Sequence, residues 1–259
     1  MPRPRKKSAT DAVEADTPLF FSQQLKGALP KAAQVYDLVR TAIIQLALRP
    51  GAAINEKAIC EQLQISRTPL REAIIQLAND GLVEVLPNSG TFVSPIDLRL
   101  VFDGQLVRAA LELRAVGLAA RKADRALAQQ LDFNMHQQRV LAADNDYNRF
   151  YDVDEAMHQL ICEFGSSNRV WRIVTGAKGH LDRVRRLQIP EKDHLEVILA
   201  EHAAIIGGVL RNDEAAAHRA MSAHINRVFK TVRHLLNERS EFFAPNSHEQ
   251  LDRFDQLAI

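Results

Sequence analysis

Proline placement constrains this chain more than any other feature. Eight of its ten prolines lie at or before Pro95, and only Pro190 interrupts the stretch between Pro95 and Pro245. Proline removes a backbone donor and clashes with the preceding helical turn. A segment that long with one such breaker, rich in Ala, Leu, Arg and Glu, therefore reads as almost wholly helical. The expected fold class is mainly α, with a domain boundary near Ser94-Pro95-Ile96-Asp97. The longest run without a charged residue, Val85 to Ile96, contains Pro87, Gly90 and Pro95, so no membrane span is expected. The basic start, Met1-Pro-Arg-Pro-Arg-Lys-Lys, lacks an apolar stretch behind it, which argues against a secretory signal. Two cysteines, Cys60 and Cys162, form no disulfide framework, and a reducing, cytoplasmic location is expected.

The proline-rich first part is punctuated regularly. Residues 1–30 lack periodicity and read as a flexible basic arm. Ala33, Val35, Tyr36, Val39, Ile43, Ile44 and Leu46 recur at helical spacing up to the Arg49-Pro50-Gly51 turn. Asn55 is placed to cap a second helix, and Ser66 a third carrying Leu70, Ala73, Ile74 and Leu77. Asp80-Gly81 ends that helix, and residues 82–86 and 91–93 then flank Pro87-Asn-Ser-Gly90 as a β-hairpin. Three helices followed by a two-stranded wing make a winged helix-turn-helix over 31–95.

In such a domain the third helix enters the major groove by its N-terminus. Here that end reads Ser66-Arg-Thr-Pro-Leu-Arg-Glu72. Arg67 and Arg71 are four apart and share a face. Each guanidinium can fork onto guanine O6 and N7, while Ser66 and Thr68 can bond phosphate or base edges. The bland alternative is a pair of arginines that solvate a helix surface. Whole-chain charge does not choose between them. It is only +1, from 33 Lys+Arg against 32 Asp+Glu, and residues 1–95 carry 11 basic against 9 acidic residues. Modest non-specific affinity and dependence on a matched operator are expected.

The remainder is expected to give about six helices, roughly 98–122, 125–142, 146–163, 168–187, 192–211 and 213–238. They form an all-helical bundle over 98–238, followed by a tail, 239–259, that is either docked or disordered. Asp154 and His158 are i and i+4 on the face of Phe150, Met157 and Ile161. His202 lies in the stripe Ile198, Ile205, Val209, and His224 in the stripe Ala217, Met221, Val228, Val232. Polar groups on apolar faces are costly to bury unless satisfied. Each histidine could be a hydrogen-bonded core residue, or all four residues could share one divalent metal ion. Cys162 continues the line of Asp154 and His158 but reads as a small core residue. His194 and His218 read as surface groups, and the Arg183-Val-Arg185-Arg186 run as a solvated face.

Several ordered motifs carry a family resemblance: Leu48-Arg-Pro-Gly-Ala-Ala-Ile-Asn-Glu-Lys57, Ser66-Arg-Thr-Pro-Leu-Arg-Glu-Ala73, Gly81-Leu-Val83 and Pro87-Asn-Ser-Gly-Thr-Phe-Val93. Over about 60 residues the chain resembles GntR-type transcriptional regulators. The resemblance implies operator contacts by Arg67, Thr68 and Arg71, with Asn88 and Gly90 in the wing tip. Lys57 stands where the family usually has arginine; it can neutralise a phosphate but cannot fork onto a base. Residues 98–235 resemble the helical effector domain of the FadR branch, the FCD domain, through Arg108-Ala-Ala-Leu-Glu112, Asp154-x-x-x-His158, Ser167-Asn168, Glu201-His202 and His224-Ile225.

That second resemblance implies a divalent ion (Zn, Ni or Mn) on Asp154, His158, His202 and His224, with coordination positions left for a small organic or sugar acid. Arg108 is then an anion clamp, or else an internal partner of Glu112. Asn168 contacts effector, or else caps its helix. The implied protein is no enzyme but a homodimeric, ligand-responsive regulator of double-stranded operator DNA, a repressor in the first instance. Two other readings use the same residues: a metal-dependent hydrolase, and a regulator that senses the metal itself.

Overall fold

The structure is a computed structural model that describes Leu25, residues 29–188 and residues 192–254. Most of the expected N-terminal arm, including Arg3 to Lys7, and the break at Ile189-Pro190 lie outside the described residues. The chain divides into two compact units between Ser94 and Pro95.

The first unit is a winged helix-turn-helix: α1 (Lys31–Ile44), α2 (Glu56–Leu63), α3 (Arg67–Asn79), β1 (Val83–Leu86) and β2 (Gly90–Val93). The apolar stripes of α1 and α3 meet, burying Val35, Val39, Ile43, Leu70, Ile74 and Leu77, with Leu82, Val83 and Val93 closing one end. Each fully buried Val, Leu or Ile contributes about 1.5–3 kcal/mol of transfer free energy. Asn55 caps α2 by accepting from the Ala58 N–H at 3.0 Å. Ser66 occupies the corresponding position before α3, but its side chain makes no capping bond. The strands pair antiparallel with Val83 opposite Val93 and Leu86 opposite Gly90. Residues 51–54 run along the other edge of β2, where Gly51 N–H donates to Val93 O and Ile54 N–H to Thr91 O, both at 2.8 Å. This third segment ties the wing to the α1–α2 connection.

The second unit is helical: α4 (Leu98–Lys122), α5 (Arg125–Ala143), α6 (Tyr147–Gly165), α7 (Asn168–Ala177), α8 (Gly179–Gln188), α9 (Lys192–Leu210), α10 (Glu214–Asn226), α11 (Val228–Glu238) and α12 (Ser247–Phe254). Side-chain caps fix several starts: Asp97, Asp124, Asp146, Ser167 and Asp213 each accept from a backbone N–H in the first turn. Two expected helices are broken. The 168–187 segment breaks at Lys178, flanked by the weak helix formers Gly176 and Gly179, and the Lys178 side chain turns inward. The 213–238 segment breaks at Arg227, whose N–H bonds the His224 carbonyl in a tightened turn. The tail is docked as far as it is described: Phe242 O accepts from Ile96 N–H at 2.8 Å, Ala244 N–H returns to Ile96 O at 2.9 Å, and Phe243 is buried.

α4 lies at the centre, packed on α6, α7, α8, α9 and α10. Two glycines permit the close approaches that frame the unit's interior. A Cβ on Gly165 would lie 2.1 Å from the Ala115 carbonyl oxygen, so α6 can meet α4 closely only with glycine there. A Cβ on Gly208 would lie 2.6 Å from the Ala217 nitrogen, where α9 meets α10. No helix among the described residues is long and apolar enough to cross a membrane.

Candidate metal centre and DNA-contact surface

In the winged unit, Lys57 stands on α2, Ser66 immediately precedes α3, and Arg67, Thr68 and Arg71 occupy its first turns, all exposed. Lys57 Nζ lies 3.9 Å from Glu61 Oε1 with both side chains in solvent, a pairing worth at most about 1 kcal/mol. A phosphate could therefore displace Glu61. Asn88 (φ 59°) and Gly90 (φ 117°) form the exposed wing turn in the left-handed region that Gly and Asn tolerate. The α3 N-terminus and the wing tip are thus separate polar projections from one small core.

In the helical unit, three helices deliver four buried groups to one point. α6 carries Asp154 and His158 on successive turns, α9 carries His202 and α10 carries His224. One ligand atom from each lies within 4.8 Å of all the others. His158 Nε2 is 3.2 Å from His224 Nε2, His202 Nε2 is 3.4 Å from His224 Nε2, and His202 Nε2 is 3.3 Å from Asp154 Oδ1. Behind the cluster each imidazole has a partner on its other nitrogen. His158 Nδ1 lies 2.8 Å from Glu112 Oε2, His202 Nδ1 donates to Gln138 Oε1 at 2.7 Å, and His224 Nδ1 donates to Glu201 Oε2 at 3.0 Å. The Glu201 carboxylate and the Gln138 amide oxygen only accept, so the proton sits on Nδ1 of His224 and of His202, and the Nε2 lone pairs of these two rings face inward.

Electrostatics keep His202 and His224 neutral. Burial pushes the His202 imidazole down to about 3, and burial together with neighbouring His202 and His158 holds His224 well below its ordinary value. Burial opposes ionisation of Asp154, but the Arg185 guanidinium bonded to its Oδ2, together with the neighbouring His202 and His158, keeps the carboxyl below the usual range. Glu112 is similarly held at about 2, burial being overcome by Arg108 and His158. Two neutral imidazoles whose lone pairs face each other across 3.4 Å have no proton to share. The four groups could hold a divalent cation, and the polar outer partners are of the kind metal-bound histidines ordinarily have.

Arg108 is the internal partner of Glu112 and also faces the cluster. Its Nε donates to Glu112 Oε1 at 2.8 Å, while Nη2 reaches to 3.0 Å from His158 Nε2 and the side chain lines a cavity over the cluster. That cavity, of about 40 Å³, is also walled by Arg185, His194, Arg227 and Thr231. At roughly 10–15 Å³ per water centre it has room for a few waters or a compact acid. Asn168 is not brought there. It is exposed and donates to Glu163 Oε1 at 2.7 Å, and Ser167, not Asn168, caps α7.

The Arg183-to-Arg186 run is not a solvated face. Arg183 is fully buried, Arg185 is bonded to Asp154 and Glu155, and Arg186 bonds Asp152 at 2.7 Å and stacks over Tyr151. α8 presents these residues inward because α4 and α11 pack against it, which charge alone does not reveal. His194 is half-buried at the cavity, His218 is exposed and Cys162 is buried in the core. Sequence reasoning did not single out Gln138, Asn134 or Arg227. The signal for the first two was present: Asn134 and Gln138 share the α5 face of Leu127, Leu131 and Leu141.

Residues 31–93 match the gntR family of bacterial regulatory proteins, and residues 105–227 match the FCD domain. An uncharacterized HTH-type transcriptional regulator in an unstable DNA locus of Streptomyces ambofaciens is 36% identical over 213 residues, 82% of this chain and 89% of that protein. The HTH-type transcriptional repressor RspR of Escherichia coli K12 is 30% identical over 221 residues, 85% of this chain and 97% of that protein. Among solved structures, E. coli McbR/YncC superposes with a TM-score of 0.68 at 18% identity, covering 77% of this chain and 95% of that one. A GntR regulator from Rhodococcus sp. RHA1 gives 0.65 at 20% identity, covering 78% and 97%. These two likenesses show a shared fold.

Proposed function

The chain belongs to the gntR family of bacterial regulatory proteins and carries an FCD domain, and from that premise we propose that its helical unit holds a divalent metal ion and a small organic or sugar acid that together control operator binding by the winged unit. The observation that carries this reading is the convergence of three imidazole Nε2 atoms and one carboxylate oxygen, each imidazole held from behind. Asp154, His158, His202 and His224 would hold the ion, which would supply a Lewis-acid anchor for a carboxylate. Zinc, nickel and manganese all suit this donor set.

The charge of the ion-pair network around the cluster constrains the acid; of its members Arg108, Asp154, Arg185 and Arg227 line the cavity. Among the described residues, the basic groups Arg108, Lys178, Arg185 and Arg227 are interleaved with the carboxylates Glu112, Asp154, Glu155, Asp182 and Glu201. The network carries one net negative charge, which a divalent ion turns to one positive. A single carboxylate then neutralises it, and Thr231 and His194 offer polar contacts to hydroxyl groups. The nearby carboxylates are each held by a cation or an imidazole, which disfavours a role as general base and hence the hydrolase reading.

At the other unit, Arg67 and Arg71 read base edges, Ser66, Thr68 and Lys57 meet the backbone, and Asn88 and Gly90 bring the wing to the duplex. A homodimer would present two such surfaces to a pseudo-palindromic operator, and the first expectation is repression. Effector and DNA must favour different arrangements of the dimer for a response to occur. The test is paired. His158→Ala is expected to lose metal by elemental analysis and to lose the thermal-shift response to acids, while Arg71→Ala retains both and loses operator binding. Full metal content with an intact acid response in His158→Ala would refute the reading.

A further inference from the structure

Behind His202 lies a buried chain of amides whose direction is fixed at its far end. His202 Nδ1 donates to Gln138 Oε1 at 2.7 Å, Gln138 Nε2 donates to Asn134 Oδ1 at 2.7 Å, and Asn134 Nδ2 donates to the Val153 carbonyl at 2.9 Å. Gln138 and His202 are fully buried and Asn134 nearly so. A backbone carbonyl can only accept, so Asn134 must turn its NH₂ towards Val153 and its oxygen towards Gln138. Gln138 must then turn its NH₂ towards Asn134 and its oxygen towards His202. The only hydrogen that completes the chain is one on His202 Nδ1.

We propose that Asn134 and Gln138 are positioning residues of the metal centre: the relay from the Val153 carbonyl locks His202 in the Nδ1–H form and aims its Nε2 at the ion. This rests on the metal reading above. The relay ends one residue before Asp154, so α5 couples the ring orientation of the ligand on α9 to the backbone that carries the carboxylate ligand on α6. It also explains why a neutral amide stands behind His202 where Glu112 and Glu201 stand behind the other two rings. Polarity is set by a fixed acceptor, with no further negative charge brought beside Asp154. Loss of such an outer partner ordinarily lowers metal affinity by about 10–100-fold.

The experiment uses the full chain stripped of metal and retitrated with zinc against a chromophoric chelator, alongside long-range ¹H–¹⁵N spectra of the metal-free protein that report the tautomer of each ring. Wild type is expected to show His202 protonated at Nδ1. Gln138→Leu is expected to lose about 10–100-fold in zinc affinity and to show Nε2–H at His202. Gln138→Glu keeps an acceptor behind the ring and is expected to restore both the tautomer and most of the affinity. If Gln138→Leu does not fold, Asn134→Ala decides by the same two readouts, because an unanchored Gln138 amide can turn either way. Wild-type affinity and an unchanged tautomer in the decisive variant overturn the proposal. His202→Ala separates the two levels: zinc binding unaffected by that change would remove the metal reading itself, whereas its loss beside a silent Gln138→Leu would remove only the relay.

Discussion

Replacing His224 by leucine should have opposite effects on the metal-free and metal-loaded protein. In the metal-free state His224 Nε2 meets His202 Nε2 at 3.4 Å and His158 Nε2 at 3.2 Å with no proton between the first pair. A buried acceptor without a donor costs about 1–3 kcal/mol. Leucine is similar in size, and the residue left behind is not orphaned: Glu201 Oε1 still accepts from Arg227 Nε at 2.9 Å, and Glu201 reaches solvent. In chelator the variant should therefore equal or exceed wild type, by up to about 2 kcal/mol after allowance for imperfect packing. For a chain of this size that is a rise of roughly 0–8 °C in melting temperature. At metal a hundredfold above its dissociation constant, wild type should gain about 2.7 kcal/mol, or roughly 5–10 °C. The variant, lacking one of four ligands, should gain under about 2 °C. Thermal-shift curves in chelator and across a zinc titration read both numbers. A variant several degrees below wild type in chelator, yet with a full metal shift, would show that His224 is an ordinary core residue and the reasoning wrong.

Other outcomes follow from the same geometry. Arg67→Ala or Arg71→Ala should weaken operator binding by about 1–3 kcal/mol per half-site without altering the melting temperature, as anisotropy titrations against wild type would show. Equal binding by both variants would exclude direct readout by α3. Because His202 sits at about 3 against 6.5 for an ordinary histidine, the unfolded chain takes up protons that the folded chain refuses as pH falls from about 6.5 towards 3. Stability of the chelated protein should accordingly drop by about 1.4 kcal/mol per pH unit for each ring kept neutral, with His224 acting in the same direction. A melting temperature flat from pH 7 to 5 would contradict this. Among acids of equal carbon number, monocarboxylates should stabilise metal-loaded protein more than dicarboxylates, and the reverse order in calorimetry would undo the charge argument.

Much of the architecture could be read from local signals. Proline placement separated the two halves, the hairpin signal located the wing, and helical spacing put Asp154 and His158 on one face. What stayed hidden depends on tertiary partners. Lys178 and Arg185 look like surface bases until Glu155 on α6 is found opposite them, and ion pairs between elements so distant in sequence leave no periodic trace. The break at Arg227 is equally silent, since its backbone is helical and only its pairing with Glu201 marks the site. Asn168 shows the reverse error. A motif position suggested a ligand contact, whereas the side chain serves Glu163 on the surface. Gln138 was legible in principle, as an amide in an apolar stripe, but its meaning required the position of His202.

The most direct test measures DNA affinity as a function of both metal and acid in one titration set. Duplexes selected from a random pool by the full-length protein would be titrated with wild type and His158→Ala, each stripped or zinc-loaded, with and without an acid chosen by thermal shift. The expected result is an acid-dependent change in affinity of about 5–150-fold that appears only in zinc-loaded wild type. The same affinity in every arm, or an equal acid effect in stripped His158→Ala, would contradict control of DNA binding through the Asp154–His158–His202–His224 centre.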